Sequence, residues 1–208
     1  MAPDDARVTR WWWIRHAPVT SDGGRVYGQS DVPCDCSDRA AFATLARRLP
    51  ERAVWVTSQL KRTRMTAAAI RDAGLDLPEP IVEPAFAEQN FGVLQGRVRQ
   101  EVFKDNPDWR GFWLAPARTA PTGGESFVDV IARVRPAIAR LNEAHGGRDI
   151  VAVAHGGTIR AALALALALE PETALAFVAD NLSLTRLDHI VQGGNEAWRV
   201  EAVNERSR

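Results

Sequence analysis

The chain has 208 residues, 46% of them apolar and 25% charged, the balance of a globular protein that buries a core. Its 26 basic and 26 acidic residues cancel to a formal net charge of zero. That excludes the electrostatic footprint of a nucleic-acid or membrane-surface protein, while the length fits one α/β domain or two small ones.

The first residues, "MAPDDARVTR", carry no apolar h-region, so no secretory signal is expected and a soluble, cytoplasmic chain is. The first strand is predicted over Arg10–Arg15, with Trp11 and Trp13 on one side of a sheet and Trp12 on the other, each under helices. Cys34 and Cys36 lie one residue apart, too close for an ordinary disulfide, and no Cys or His at zinc-like spacing joins them. In "SDRAAFATLARRL", Phe42, Leu45, Ala46 and Leu49 share one helical face, and Ser37 is the expected N-cap. A second strand, Ala53–Thr57, leads into Ser58 and the helical "LKRTRMTAAAI". After the short "IVEP" comes a loop containing Glu88. In "SFVDVIARVRPAIARL" the helical spacing returns, with Pro136 predicting a kink. The strand Ile150–Ala154 follows, then the buried-helix pattern "AALALALALE", too short for the roughly 20 residues that span a bilayer. Strands at Ser183–Leu187 and Trp198–Val203, separated by the turn-rich "QGGN", close the chain. His145 and His189 fall in turn contexts and are expected to be solvated.

Strands alternating with helices predict a single three-layer α/β/α domain over residues 1–208. Its sheet is mainly parallel, with at least one antiparallel strand from the closing pair. Residues 97–122 form an expected small cap.

Two strands end in a histidine. "WWWIRH" ends at Arg15-His16, and "IVAVAH" ends at His155, before a Gly156-Gly157 turn that opens a helix. Ligands of open α/β sheets collect at the carboxyl ends of strands, and a helix start favours an anion. Arg62 falls in the first turn of the helix after "AVWVT", near the same edge. Two imidazoles, two guanidiniums and a helix end together suit a phosphoryl group. Each alone is an ordinary surface or capping residue, and the combination carries the inference. Phosphoryl transfer from an ester also needs a proton for the leaving oxygen. By composition alone Glu88 stands level with any other acidic residue for that task.

At these residues the chain resembles the histidine phosphatase superfamily, in its phosphoglycerate-mutase-like branch. The resemblance runs through Arg15-His16-Ala17, "YGQSDVP" (Tyr27 to Pro33), "SQLKRTRMTA" (Ser58 to Ala67), "EQNFGVLQG" (Glu88 to Gly96), "PTGGES" (Pro121 to Ser126) and "HGGTIR" (His155 to Arg160). It implies that His16 is the nucleophile and forms a phosphohistidine, while Arg15, Arg62 and His155 hold the phosphoryl oxygens. Glu88 would protonate the leaving oxygen and then activate water. Gly156, Gly28, Gln29 and Thr20 are the expected further substrate contacts. The family needs no metal or cofactor. Two positions depart from its pattern. Ala17 replaces a glycine, which matters only if φ there is positive. An asparagine usual about six residues after the nucleophile is missing, and Thr20, Ser21 or a backbone amide is expected in its place.

The segment after Glu88 lacks the basic cluster of the family's mutases, which favours a phosphatase acting on a small phosphorylated metabolite. The opening "RHAPV" and "YGQSDVP" resemble α-ribazole-phosphate phosphatases, and Phe103, Trp109, Phe112 and Trp113 would either pack the cap or wall an aromatic leaving group. The alternatives are a phosphoglycerate-type mutase, a phospho-ligand-binding pseudoenzyme and a metal hydrolase, the last lacking H-x-x-x-H spacing. No nucleic-acid or membrane partner is expected, and the chain is a monomer or a homodimer.

Overall fold

The computed structural model describes residues 6–107 and 116–206. Six strands form one sheet in the order β3-β2-β4-β1-β5-β6. They are β1 (Arg7–Arg15), β2 (Val54–Thr57), β3 (Ile81–Val82), β4 (Asp149–Ala154), β5 (Leu184–Gln192) and β6 (Asn195–Glu205). The pairs β3–β2, β2–β4 and β4–β1 are parallel, while β5 runs antiparallel to both β1 and β6. The mainly parallel sheet expected from the alternation is therefore present, with β5 as its antiparallel member.

Period-2 alternation gives each sheet face its own core. On one face Trp11, Trp13, Val54, Val56, Ile150 and Ala152 pack under α4 (Phe127–His145) and α5 (Gly156–Ala166). On the other, Ile14, Trp55, Val151 and Val153 pack under α1 (Arg39–Arg48) and α2 (Lys61–Asp72). These are the three layers. Trp11 and Trp13 stack with ring centroids 4.9 Å apart, and Phe86 meets both edgewise or tilted. Trp12 points the other way, as expected, but is only half-buried. Arg186 lies over its ring at 4.6 Å, in place of a complete helical cover.

Local expectations change at the α1 cap, in the closing strands and at the two histidines His189 and His145. The N-cap of α1 is Asp38, whose carboxylate accepts from the Ala41 amide, while Ser37 donates its own amide to Asp35. Pro136 sits inside α4 without ending it, and α4 begins at a capping box of Ser126 and Asp129. The closing strands are longer than their apolar runs. His189 consequently lies on β5, buried, with its ring 4.7 Å from Trp198 and Nε2 3.3 Å from Glu196, rather than solvated in a turn. His145 is half-buried in the last turn of α4.

In the expected cap, α3 (Arg99–Asp105) buries Val102 against Val26, Phe91 and Leu94, with Phe103 partly covered beside them. Trp109, Phe112 and Trp113 lie outside the described residues. A four-residue helix, α6 (Pro171–Ala174), precedes β5. Among the described residues no helix is long and apolar enough to cross a membrane.

Candidate active site

Because β4 lies between β2 and β1, the ends of three adjacent strands deliver Ser58, His155 and His16 to one sheet edge. The His16 and His155 rings stand 5.2 Å apart, inclined at 57°. His16 is buried, and its Nδ1 lies 2.7 Å from the carbonyl of Ala17. A carbonyl only accepts, so Nδ1 carries the proton and Nε2 of the neutral ring keeps its lone pair. That Nε2 is buried and has no hydrogen-bond partner among the described residues. Burial holds the His16 pKa well below its ordinary value, and Arg62 and Arg15 push it the same way. The ring is therefore neutral at pH 7.

Arg62 is wholly buried at the start of α2. It donates to the carbonyls of Gly28 at 2.6 Å and Ser30 at 3.0 Å, and its Nε donates to Nδ1 of His155 at 3.3 Å. Three of its five donors are thus occupied, and the fixed fork leaves two for an anion. Its guanidinium lies 5.0 Å from the Tyr27 ring. Gly28 has φ +47°, and a Cβ there would meet Gln95 Oε1 at 2.3 Å, so glycine is required for the carbonyl that orients Arg62. His155 receives Arg62 at Nδ1 and lies 2.8 Å through Nε2 from Ser58 Oγ, to which it donates. Burial depresses its pKa strongly, with Arg62 and then His16 adding to the effect.

Arg15, half-buried, donates to the Ala179 carbonyl at 2.6 Å. Glu88 is buried, and its Oε1 accepts from the amides of Gln89 at 2.9 Å and Gly157 at 3.1 Å. With Oε1 satisfied, Oε2 is the oxygen available for a proton. A Cβ on Gly157 would sit 2.5 Å from that carboxylate, so the second glycine of "HGGTIR" is what lets α5 approach Glu88. Arg15, Glu88, Val26, Tyr27, Gly28, Phe91 and Arg99 line a cavity of about 150 Å³. A larger cleft of about 460 Å³ lies elsewhere, between α4 and the β5–β6 hairpin, and holds none of these groups.

The whole of residues 11–206 matches the family model of the histidine phosphatase superfamily, branch 1. The chain belongs to this superfamily. It is a phosphatase of the phosphoglycerate-mutase-like branch. It is 36% identical to glucosyl-3-phosphoglycerate phosphatase of Mycolicibacterium vanbaalenii over 78% of this chain and 76% of that one. It is 31% identical to metal-independent phosphoserine phosphatase of Arabidopsis thaliana over 76% of this chain and 68% of that one. The native structure of a mycobacterial glucosyl-3-phosphoglycerate phosphatase superimposes with a TM-score of 0.81 at 32% identity, covering 97% of this chain and all of the other.

Within this histidine phosphatase the fold brings His16, Arg15, Arg62, His155 and Glu88 together, and Gly156 opens α5 beside them. Gln29 stands at the site in a supporting position, with Nε2 donating to the Glu88 carbonyl at 2.9 Å. Thr20 lies on the exposed loop after β1, and no described hydrogen bond ties it to the site. Ala17 is outside the positive-φ region, so its methyl strains nothing. Its amide donates to Thr66 Oγ1 at 2.9 Å, and that hydroxyl in turn donates to the Arg62 carbonyl.

Sequence reasoning missed Asn181, whose Nδ2 donates to the His16 carbonyl at 2.7 Å. It also left Arg160 without a role. That guanidinium is buried, bonded to the Phe177 carbonyl, and pulled down to about 10 by burial against the opposing pull of Glu88. Asn181 precedes the predicted strand Ser183–Leu187 with no periodicity to mark it. Arg160 was visible in "HGGTIR", and only its burial beside Glu88 gives it meaning.

Proposed function

We propose that this phosphatase hydrolyses a small phosphate monoester, without a metal, through a phosphohistidine on His16. The observation that carries the reading is Nε2 of His16: buried, unprotonated, and near enough to two guanidiniums for both to depress its pKa. Nε2 attacks phosphorus, the ester P–O bond breaks, and Glu88 in its acid form gives the Oε2 proton to the departing alcohol. Water then attacks the phosphohistidine, Glu88 takes its proton back, and the N–P pair returns to His16 with release of inorganic phosphate. Arg15 and Arg62 neutralise the equatorial oxygens. One such donor is worth on the order of 10²–10³ in rate, and the acid about 10²–10⁴. His155 accepts from Arg62 at Nδ1 and donates to Ser58 at Nε2, so in its neutral form it serves to hold the Arg62 fork.

For the leaving group, the cavity wall pairs Tyr27 and Phe91 with the exposed cation of Arg99. A leaving alcohol that carries a carboxylate fits that pairing. The relatives named above support it, since phosphoglycerate and phosphoserine are both phosphate esters of carboxylic acids. α-Ribazole 5'-phosphate could set its aromatic base against Tyr27 and Phe91 but brings no carboxylate to Arg99.

The test is hydrolysis in excess chelator of glucosyl-3-phosphoglycerate, phosphoserine, α-ribazole 5'-phosphate and an aryl phosphate, with wild type beside His16→Ala. The expected result is chelator-resistant release of inorganic phosphate, preference for the carboxylate-bearing esters, and an acid-labile phosphoprotein absent from His16→Ala. Isomerised ester in place of inorganic phosphate would make the protein a mutase. Turnover retained by His16→Ala would end the phosphohistidine mechanism.

A further inference from the structure

The loop that carries Glu88 is held by one side chain of α4. Arg133 donates through Nη1 to the Ala85 carbonyl at 2.5 Å and through Nη2 to the carbonyls of Ala87 at 3.0 Å and Glu88 at 3.1 Å. Its Nε donates to Glu125 Oε1 at 2.7 Å. Glu125 closes the other side of the loop: its Oε2 accepts from the Asn90 amide at 2.9 Å, and its carbonyl accepts from Gln89 Nε2 at 2.7 Å. Both charged side chains are about four-fifths covered, at 21% and 23% exposure. Thr158 and Gln29 complete the set, donating to the Phe86, Ala87 and Glu88 carbonyls. Every carbonyl from Ala85 to Glu88 thus accepts from a side chain, in a loop that has no sheet or α-helix to hold it.

We infer that Arg133, paired with Glu125, is a positioning residue for general acid catalysis: it fixes the Glu88 backbone so that Oε2 meets the leaving oxygen. It touches no reacting atom. A guanidinium suits this task because its planar fork serves several carbonyls and a carboxylate at once, which a single ammonium on a flexible stem does not. The inference rests on Glu88 acting as the proton donor.

A residue acting through the acid leaves a mark that a general scaffold residue does not. Nitrophenolate departs without a proton, whereas an alkoxide needs one. The test measures single-turnover alcohol release over phosphate esters running from nitrophenyl to alkyl, for wild type, Glu88→Gln, Arg133→Met, Arg133→Lys and Glu125→Gln. With alkyl esters, Arg133→Met is expected to lose about 10²-fold in rate, of the order reported for a misplacement near 1 Å, and Arg133→Lys less. With the nitrophenyl ester both lose less than about threefold, and the enzyme concentration that half-saturates the single-turnover rate is little changed. Arg133→Lys and Glu125→Gln carry the test if Arg133→Met fails to fold. Equal losses across the ester series, or no loss, would overturn the clamp while Glu88→Gln still shows the leaving-group dependence. If Glu88→Gln shows no such dependence, the acid assignment itself falls.

Discussion

His16 owes its reactive form to the chain's own backbone: the Ala17 carbonyl holds the proton on Nδ1, and burial keeps a second proton off Nε2. Asn181 fixes the carbonyl on the other side of the same residue. The ring is therefore set by two neighbours that carry no charge, which explains why neither was legible as a functional residue. Gly157 makes the same point about Glu88. A methyl there would stand 2.5 Å from Oε1 and 3.9 Å from the Gln89 amide. Within a helix, alanine is favoured over glycine by up to about 1 kcal/mol. Gly157→Ala is accordingly expected to keep or raise the melting temperature while kcat falls about 10–100-fold, because the carboxylate must shift. A melting scan beside steady-state kinetics checks both signs, and unchanged kcat would mean that Glu88 has slack the geometry does not show.

At the level of elements, α4 is both a core helix and the anchor of the acid loop. Its start is a reciprocal capping box: the Ser126 hydroxyl accepts from the Asp129 amide, and the Asp129 carboxylate accepts from the Ser126 amide. Ser126→Ala is expected to lower stability by about 1 kcal/mol, measured as a shifted urea midpoint at constant slope. Every α-helix of eight residues or more, and β1, β2 and β4, could be read from apolar patterning: α1, α2 and α4 each bury one stripe, while α5, β2 and β4 are covered on all sides and read as continuous apolar runs. The β5–β6 hairpin could be read only in part. Its outer half is exposed on β6, so apolar alternation fades there, and His189 owes its burial to Trp198 across the pairing register. The strand-end histidines His16 and His155, and Arg62 in the first turn of α2, were legible because each follows a readable element. Glu88 needed the family resemblance, and Arg133 acts through backbone carbonyls, which have no signature in sequence.

For the whole molecule, two buried neutral histidines make stability depend on pH. Both folded pKa values lie well below the ordinary 6.5. Below about pH 6.5 the unfolded chain therefore binds protons that the folded one does not. Stability falls as pH drops through that window, by up to about 1.4 kcal/mol per pH unit for each histidine, until the folded values are reached. Urea midpoints taken from about pH 7 to about pH 5 should decline in wild type and stay nearly flat in a His16→Asn, His155→Asn variant. Equal declines would assign the dependence to other groups. The strand order has a further consequence, for how the protein is made. Among the described residues β1 pairs with β4 and β5 alone, so the three-tryptophan strand leaves the ribosome ahead of both and finds neither partner before Asp149 has been synthesised. Until then both of its edges are open and its most apolar faces are uncovered, a state prone to misassembly. Arg7, Arg10 and Arg15 bracket that run, and charges so placed act as gatekeepers against premature strand pairing. The nascent chain cannot bind a phosphoryl group until β4 slots in beside β1, so activity waits on the synthesis of Asp149–Ala154, far along the chain from the nucleophile's strand.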